Sequence, residues 1–415
     1  MLFNLHSSLY FCIRFVLFRF DPEVVHDVVS YILRLMGFFA GLVSRLHLRS
    51  KNPLEGLLQT RVGRHVLPGP VFMAAGFDKN GSLVNGLHTF GFGLAEVGTF
   101  TLRAQAGNPR PRLFRIPAEK ALFNRMGFNN PGIEKGLENL RRARYPFAIS
   151  IGKSKETPVE KAAEDYEEIL KTMESTRFRT VKNHIVYVAI NISSPNTPGL
   201  RQLQDKTWVL DLVKRCKKIT ELPLFVKFAP DFSTMGEFEN TLKAALKAGA
   251  DGVIVTNTTS DEKLTGCVAE EIRKNGGGLS GKPLTARSGE YLEAALGICK
   301  GAVPVISSGG VMSAEEIARR LKTGASAVQV YTGFIYNGPC FVKEATDYLE
   351  EEIQEGGFLS LAQYQAKPRA RSKTIPQVKA RPRGELKTRP SVKPPVKPRA
   401  KPPVKPVKQK KRKSP

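Results

Sequence analysis

The sequence predicts a (β/α)8 barrel with a helical N-terminal foot and a basic C-terminal tail. Three observations carry this. First, eight short apolar runs lie between residues 71 and 331. They are near-continuous rather than alternating, as strands buried on both faces are. Second, helical patterns separate most of them, and eight such units fill about the 250 residues typical of the barrel. Third, the alternative, an open doubly wound sheet, lacks its fingerprint: no strand-like run is followed by G-x-G-x-x-G. A P-loop is absent too, because Phe147 stands where Gly152-Lys153-Ser154 would need its first glycine.

The chain has 415 residues and a net charge of +26. Residues 367–415 hold 19 Lys and Arg against Glu385 alone, 11 prolines and no aromatic residue. That segment carries +18 and the rest +8. The tail cannot bury enough apolar surface to offset its ordering entropy, so it is expected to be disordered, with extended proline-rich stretches. Its charge suits a nonspecific acidic partner, nucleic acid or acidic lipid. Cys12, Cys216, Cys267, Cys299 and Cys340 are scattered and form no C-x-x-C. This fits a reducing compartment and argues against a disulfide framework or a zinc site. No metal is expected.

At the N-terminus, residues 1–50 form the expected foot. Leu9, Phe11, Phe15, Phe18 and Phe20 make residues 1–20 apolar, but Arg14 and Arg19 keep each run below the ~18 residues of a spanning helix. Asp21 is a good N-cap, Pro22 suits the first helical position, and Glu23 complements the positive helix end. Val25, Val28, Val29, Ile32, Leu33 and Met36 then recur at helical spacing as one apolar face, and Phe38 and Phe39 extend it. A helical hairpin packed on the body is one reading. A monotopic foot with its apolar side in lipid is the other, favoured by the aromatic density.

The barrel is expected over residues 51–356. Its strand-like runs are Val71–Ala75, Leu94–Thr101, Phe147–Ile151, Ile185–Ile192, Leu224–Phe228, Gly252–Thr256, Val303–Ile306 and Ala327–Tyr331. Helical patterns include Val159–Met173, Thr207–Ile219, Thr234–Ala248, Leu284–Lys300, Ala314–Lys322 and Phe341–Glu351. Chemistry in this fold sits at the C-terminal ends of the strands. The seventh and eighth runs end in Gly309-Gly310 and Tyr331-Thr332-Gly333. Glycines there let backbone N–H groups approach a phosphate, which points to a phosphorylated cofactor. A second cluster combines Asn191, Asn196 and Asn257 with Lys79 and Lys227. Asparagine pairs a donor with an acceptor and matches the edge of a cyclic amide, and lysine suits a carboxylate. Lys227 sits inside an apolar strand, where an unpaired charge is costly. Its expected anionic partner is a cofactor or substrate.

The motifs Ala74-Ala75-Gly76-Phe77-Asp78-Lys79, Asn124-Arg125-Met126-Gly127-Phe128-Asn129, Asn191-Ile192-Ser193-Ser194-Pro195-Asn196-Thr197, Thr256-Asn257-Thr258 and Gly278-Leu279-Ser280-Gly281-Lys282-Pro283-Leu284 resemble the dihydroorotate dehydrogenases. The resemblance runs from about Phe20 to Tyr348. It implies an FMN-containing barrel that oxidises (S)-dihydroorotate to orotate in pyrimidine biosynthesis. Soluble members use a cysteine base in the loop after strand four. Here that loop has Ser194, and Phe20-Asp21-Pro22-Glu23 with His26 resembles the foot of the membrane-associated, quinone-reducing class. A tRNA dihydrouridine synthase shares the FMN barrel but uses a catalytic cysteine, which these loops lack.

Carried over motif by motif, the resemblance makes Ser194 the base for the C5 proton, with Thr197 or a water relaying it. Hydride passes from C6 to FMN. Asn124, Asn191, Asn196 and Asn257 hold the pyrimidine and Lys79 its carboxylate, assisted by Thr258, with Arg125, Met126, Gly127 and Phe128 in the same motif. Arg125 also reads as a structural ion-pair partner. Lys227 faces the flavin N1/C2 edge. Ala75, Gly76, Thr99, Ser150, Thr256, Gly281, Gly310, Tyr331 and Thr332 line FMN, with Lys79 and Asn191. His26, Arg115 and Tyr331 face the tunnel of a membrane quinone, ubiquinone or menaquinone; His26 also reads as a helix-surface residue. Two departures stand out: Ser150 replaces a usual asparagine, and Ser307-Ser308-Gly309-Gly310 replaces a more glycine-rich turn. A monomer at the cytoplasmic face of a bacterial inner membrane is expected, with the mitochondrial inner membrane as the alternative, since no long Arg/Ser-rich presequence precedes the foot.

Overall fold

In a computed structural model of the chain, residues 2–45, 56–197 and 199–366 are described. The expected disorder of residues 367–415 lies outside them. The barrel is built from β1 (Val71–Met73), β2 (Leu94–Phe100), β3 (Phe147–Ile151), β4 (Ile185–Asn191), β5 (Leu224–Phe228), β6 (Gly252–Val255), β7 (Val305–Ser308) and β8 (Ala327–Val330). All eight pair in parallel and close, β8 returning to β1 through Val328 opposite Val71 and Val330 opposite Met73. Every residue of these strands is buried, which explains why the sequence shows continuous apolar runs rather than alternation.

Two layers make the core. Inside the barrel, Phe72, Leu94, Tyr187, Phe225, Ile254 and Ile306 pack together, with Val62 and Leu67 from an antiparallel hairpin (Thr60–Val62, His65–Leu67). Outside, the strands pack against helices whose apolar faces are Tyr166, Ile169 and Leu170 on Ala162–Glu174, Leu212 and Val213 on Lys206–Lys217, and Phe238 and Leu242 on Met235–Lys247. Asp205 and Thr234 cap two of these helices by accepting their first free N–H groups.

The N-terminal segment forms two helices, α1 (Leu2–Leu17) and α2 (Pro22–Arg45). Asp21 caps α2 as expected, its Oδ1 accepting from the N–H groups of Glu23 and Val24 at 2.9 and 3.0 Å. The single apolar face divides. Leu33 is buried and Val29 packs on the body, while Val28, Ile32, Met36 and Phe38 stay exposed, Phe38 at 66 %. On α1, Phe11 and Phe15 are likewise uncovered. The reason is the seat of α2: it crosses α3 (Val84–His88) so closely that a Cβ on Gly86 would lie 2.2 Å from the Leu33 carbonyl oxygen. One narrow stripe therefore meets the barrel, and the remaining apolar surface faces away. No helix among the described residues is long and apolar enough to cross a membrane.

A three-stranded antiparallel sheet, Leu113–Ile116, Ala121–Asn124 and Gly278–Gly281, joins the loop after β2 to the loop after β6. The sequence reading did not anticipate it. It brings Leu113, Leu122, Asn124 and Ser280 to the barrel mouth.

Candidate active site

The C-terminal ends of the strands surround a cavity of about 1120 Å³, counting the space open at its mouth. The loop after β1 is held by Asp78, which accepts from the N–H groups of Leu83 (2.7 Å), Ser82 (3.0 Å) and Asn80 (3.3 Å). Its neighbour Lys79 lines the cavity. Burial lowers the Lys79 ammonium to about 8, with Glu23 opposing the shift and Arg112 adding to it. A cation held at such a cost is a natural anchor for a small anion.

The amide cluster forms two hydrogen-bonded groups. Asn191 donates to Thr99 (2.9 Å) and accepts from the Ser193 hydroxyl (2.8 Å). Asn257 donates to the same Ser193 oxygen at 2.8 Å. On the facing side, Asn196 donates to Asn124 Oδ1 at 2.9 Å, and its N–H donates to Ser194 Oγ at 3.2 Å. Ser194 lines the cavity and is almost fully buried. Asn196 Oδ1, Thr197 Oγ1 and Thr256 Oγ1 are buried with no partner. Polar atoms left unpaired in a buried site await a ligand or water.

At the opposite end, Gly281, Gly309 and Gly310 have φ of +98°, +90° and +70°. A Cβ on Gly310 would lie 2.4 Å from Thr285, and one on Gly281 2.4 Å from the Lys120 carbonyl oxygen. Thr285 donates to the Gly310 carbonyl (2.7 Å) and Ser288 to that of Gly309 (2.8 Å). This turns the glycine carbonyls away, as a backbone cradle for phosphate requires. The glycine cradle and the unpaired Thr256 hydroxyl fit a phosphorylated, amide-bearing cofactor.

Most expected site residues meet here: Ala75, Gly76, Thr99, Met126, Gly127, Phe128, Asn191, Lys227, Thr256, Asn257, Thr258, Tyr331 and Thr332 all line the cavity. Others do not. Arg125 points outward and donates twice to the Pro111 carbonyl, at 3.3 and 3.1 Å. Ser150 is completely buried behind Thr99, the two hydroxyls 2.8 Å apart; too short to reach past Thr99, it contacts the network rather than the cavity. Lys227 has a protein partner that the sequence reading missed. Its Nζ donates to Glu96 Oε1 at 3.0 Å and to Gln329 Oε1 at 3.2 Å. Glu23 stands in the first turn of α2 as expected, and its carboxylate is also paired with Arg112 (2.7 Å) and Arg110 (3.1 Å). Burial works to raise this group, but the two arginines outweigh it and hold it below the usual carboxylate range.

Helix α2 approaches the cavity through aromatic rings. His26 Nε2 lies 2.8 Å from the Phe77 carbonyl oxygen, its ring edge-on to Phe77, and Phe77 is edge-on to Tyr331 in the cavity wall. Burial, and next the Lys79 charge, lower His26 to about 4, so it is neutral near pH 7. Arg115 stands at the α1–α2 turn, donating to the Phe20 carbonyl (2.8 Å) and lying 4.6 Å over the Phe18 ring.

Fold and site together define an α/β-barrel enzyme whose cavity has a glycine end suited to a phosphate and an amide-lined, cationic end suited to a small anion. A family profile for dihydroorotate dehydrogenase matches residues 57–353. The quinone-type dihydroorotate dehydrogenase of a Nitratiruptor species is 39 % identical over 359 residues, covering 85 % of this chain and 97 % of that one. That of Methylococcus capsulatus is 42 % identical, covering 80 % and 96 %. Among solved structures, the Eimeria tenella dihydroorotate dehydrogenase in complex with ferulenol superposes with a TM-score of 0.71 at 31 % identity, covering 84 % and 96 %. The chain belongs to the dihydroorotate dehydrogenase family, whose members are flavin-dependent oxidoreductases.

Proposed function

We propose that the chain is a quinone-dependent dihydroorotate dehydrogenase that uses FMN. The observation that carries this reading is a cysteine-free base loop that places Ser194 in the cavity beside Asn196, with Asn124, Asn191 and Asn257 around it. When bound, FMN would supply the redox chemistry, as acceptor for the C6 hydride and as the link to a membrane quinone. Gly281, Gly310 and Thr332 would hold its phosphate end, and Thr99, Thr256 and Lys227 its ring.

The chain's own residues do the rest. Lys79 takes the substrate carboxylate. The four asparagines fix the pyrimidine edges, which orients C5 toward Ser194. Ser194 accepts the C5 proton as the C5–C6 double bond forms. A serine is a weak base, so the partnerless Thr197 hydroxyl, or a water, relays the proton onward. The exposed aromatic face of α1 and α2 rests on the membrane, and the quinone approaches past His26, Phe77 and Tyr331. We place the enzyme as a monomer on the cytoplasmic face of a bacterial inner membrane, with the mitochondrial inner membrane as the alternative.

The test is an anaerobic titration of the yellow protein with dihydroorotate, followed by a ubiquinone or menaquinone analogue. Bleaching and then recovery of colour are expected. Flavin that dihydroorotate leaves oxidised would sink the reading. In the same experiment, Ser194→Ala should bleach about 10²- to 10⁴-fold more slowly, the range lost with a general base.

A further inference from the structure

Four side chains from four strands meet inside the barrel beside the cavity. Lys227 on β5 and Gln329 on β8 line it, whereas Glu96 on β2 and Tyr187 on β4 do not. Glu96 is completely buried. Its Oε1 accepts from Lys227 at 3.0 Å, and its Oε2 accepts from Gln329 Nε2 at 2.6 Å and from the Tyr187 hydroxyl at 2.9 Å. Gln329 Oε1 accepts from Lys227 at 3.2 Å. Tyr187 is itself fixed by stacking on Phe225, ring centroids 4.4 Å apart. Among the described residues, two of the three ammonium hydrogens of Lys227 are therefore committed. One remains for whatever occupies the cavity.

We propose that Glu96, held by Tyr187 and Gln329, is a positioning residue that sets the charge Lys227 presents to the redox cofactor, and so its reduction potential. The proposal rests on the FMN reading above. Taking up a hydride, two electrons and one proton, makes a flavin ring one unit more negative. A lone lysine beside the ring would favour that form strongly, because charges interact more in a dry interior than in water. Glu96 offsets the lysine and aims its last N–H. A purely structural role for the pair would leave the potential where it is.

The test uses the flavin-loaded enzyme and reads the midpoint potential by anaerobic dye-coupled titration at neutral pH. Glu96→Gln should raise the potential by about 30 mV or more, a tenfold change in the ratio of oxidised to reduced flavin affinity. Glu96→Asp should restore most of the wild-type value. Tyr187→Phe keeps both charges but removes one donor from the carboxylate, so it should shift the potential slightly downward. An unmoved potential in Glu96→Gln overturns the proposal. Where that variant does not fold, Tyr187→Phe decides: a downward shift supports it and no shift overturns it. Protein that takes up no flavin, or is not reduced by dihydroorotate, removes the underlying reading instead.

Discussion

Lys79 is the residue whose chemistry is most exposed to test. Burial brings its ammonium down to about 8 from an ordinary 10.5. Below pH 8 it is a cation and attracts a carboxylate; above, the charge is lost. Orotate affinity should therefore fall as pH rises through about 8, approaching tenfold per pH unit beyond it, as for any binding step needing one proton. Lys79→Arg keeps its charge to above pH 12, so its profile should be flatter, although its geometry is poorer. Titration of the ligand itself is common to both proteins. Equal slopes, followed by flavin absorbance changes on adding orotate, would remove Lys79 as the anchor. The sequence made Lys79, Asn191, Asn196 and Asn257 legible because each stands at or soon after the C-terminal end of an apolar run, whereas Asn124 was legible only from its motif. Glu96 carried the same signal as Lys227, a charge inside an apolar strand, yet the two lie 131 positions apart. Only closure of the barrel makes them partners, so a single strand read alone could not pair them. Ser150 and Arg125 show the converse. The resemblance singled both out, but one hydroxyl turned to Thr99 and one guanidinium turned outward to a carbonyl.

At the scale of elements, regular periodicity and caps were readable, and pairing imposed from outside was not. The start of α2 followed from Asp21 and Pro22, and β3 and β5 begin and end where their apolar runs do. The sheet over the mouth escaped notice because its strands are four residues each and Gly278–Gly281 has two glycines, a composition with little strand propensity of its own. It extends only because Ala121–Asn124 pairs with it. The seat of α2 depends on a similar close approach, at Gly86. Alanine in a helix gains about 0.5–1 kcal/mol over glycine. Here its Cβ would strike the Leu33 carbonyl, a backbone atom 2.2 Å away that has no rotamer to yield. Overpacking of this kind costs about 1–3 kcal/mol, so Gly86→Ala should lower the melting temperature and lift α2 from the barrel. Because α2 carries His26, the quinone half-reaction should suffer more than reduction by dihydroorotate. Equal loss in both half-reactions, measured by stopped flow, would contradict a local effect on the foot.

For the whole molecule, charge and apolar surface lie at opposite ends of the chain. The family profile ends at residue 353, and the +18 of residues 367–415 lies beyond it. The cavity's cations, Lys79 and Lys227, belong to the barrel and owe nothing to that excess. Deleting residues 367–415 should therefore leave kcat with dihydroorotate and a soluble quinone analogue within about twofold of the full chain, a barrier change under about 0.5 kcal/mol. Its effect should appear at charged surfaces. Each Lys or Arg close to an anionic bilayer contributes about 1 kcal/mol, and salt screens that attraction over about 10 Å at 0.1 M. The full chain should bind anionic vesicles tightly at low salt and weakly at high salt. The shortened chain should lose that salt dependence and keep only the attachment made by Phe11, Phe15 and Phe38, which neutral vesicles share. Co-sedimentation with both vesicle types across a salt series separates the two contributions. A large fall in kcat on truncation would tie the tail to catalysis. Unchanged salt dependence would remove acidic lipid as its partner and leave nucleic acid, tested by retention on RNA, as the surface that its charge serves.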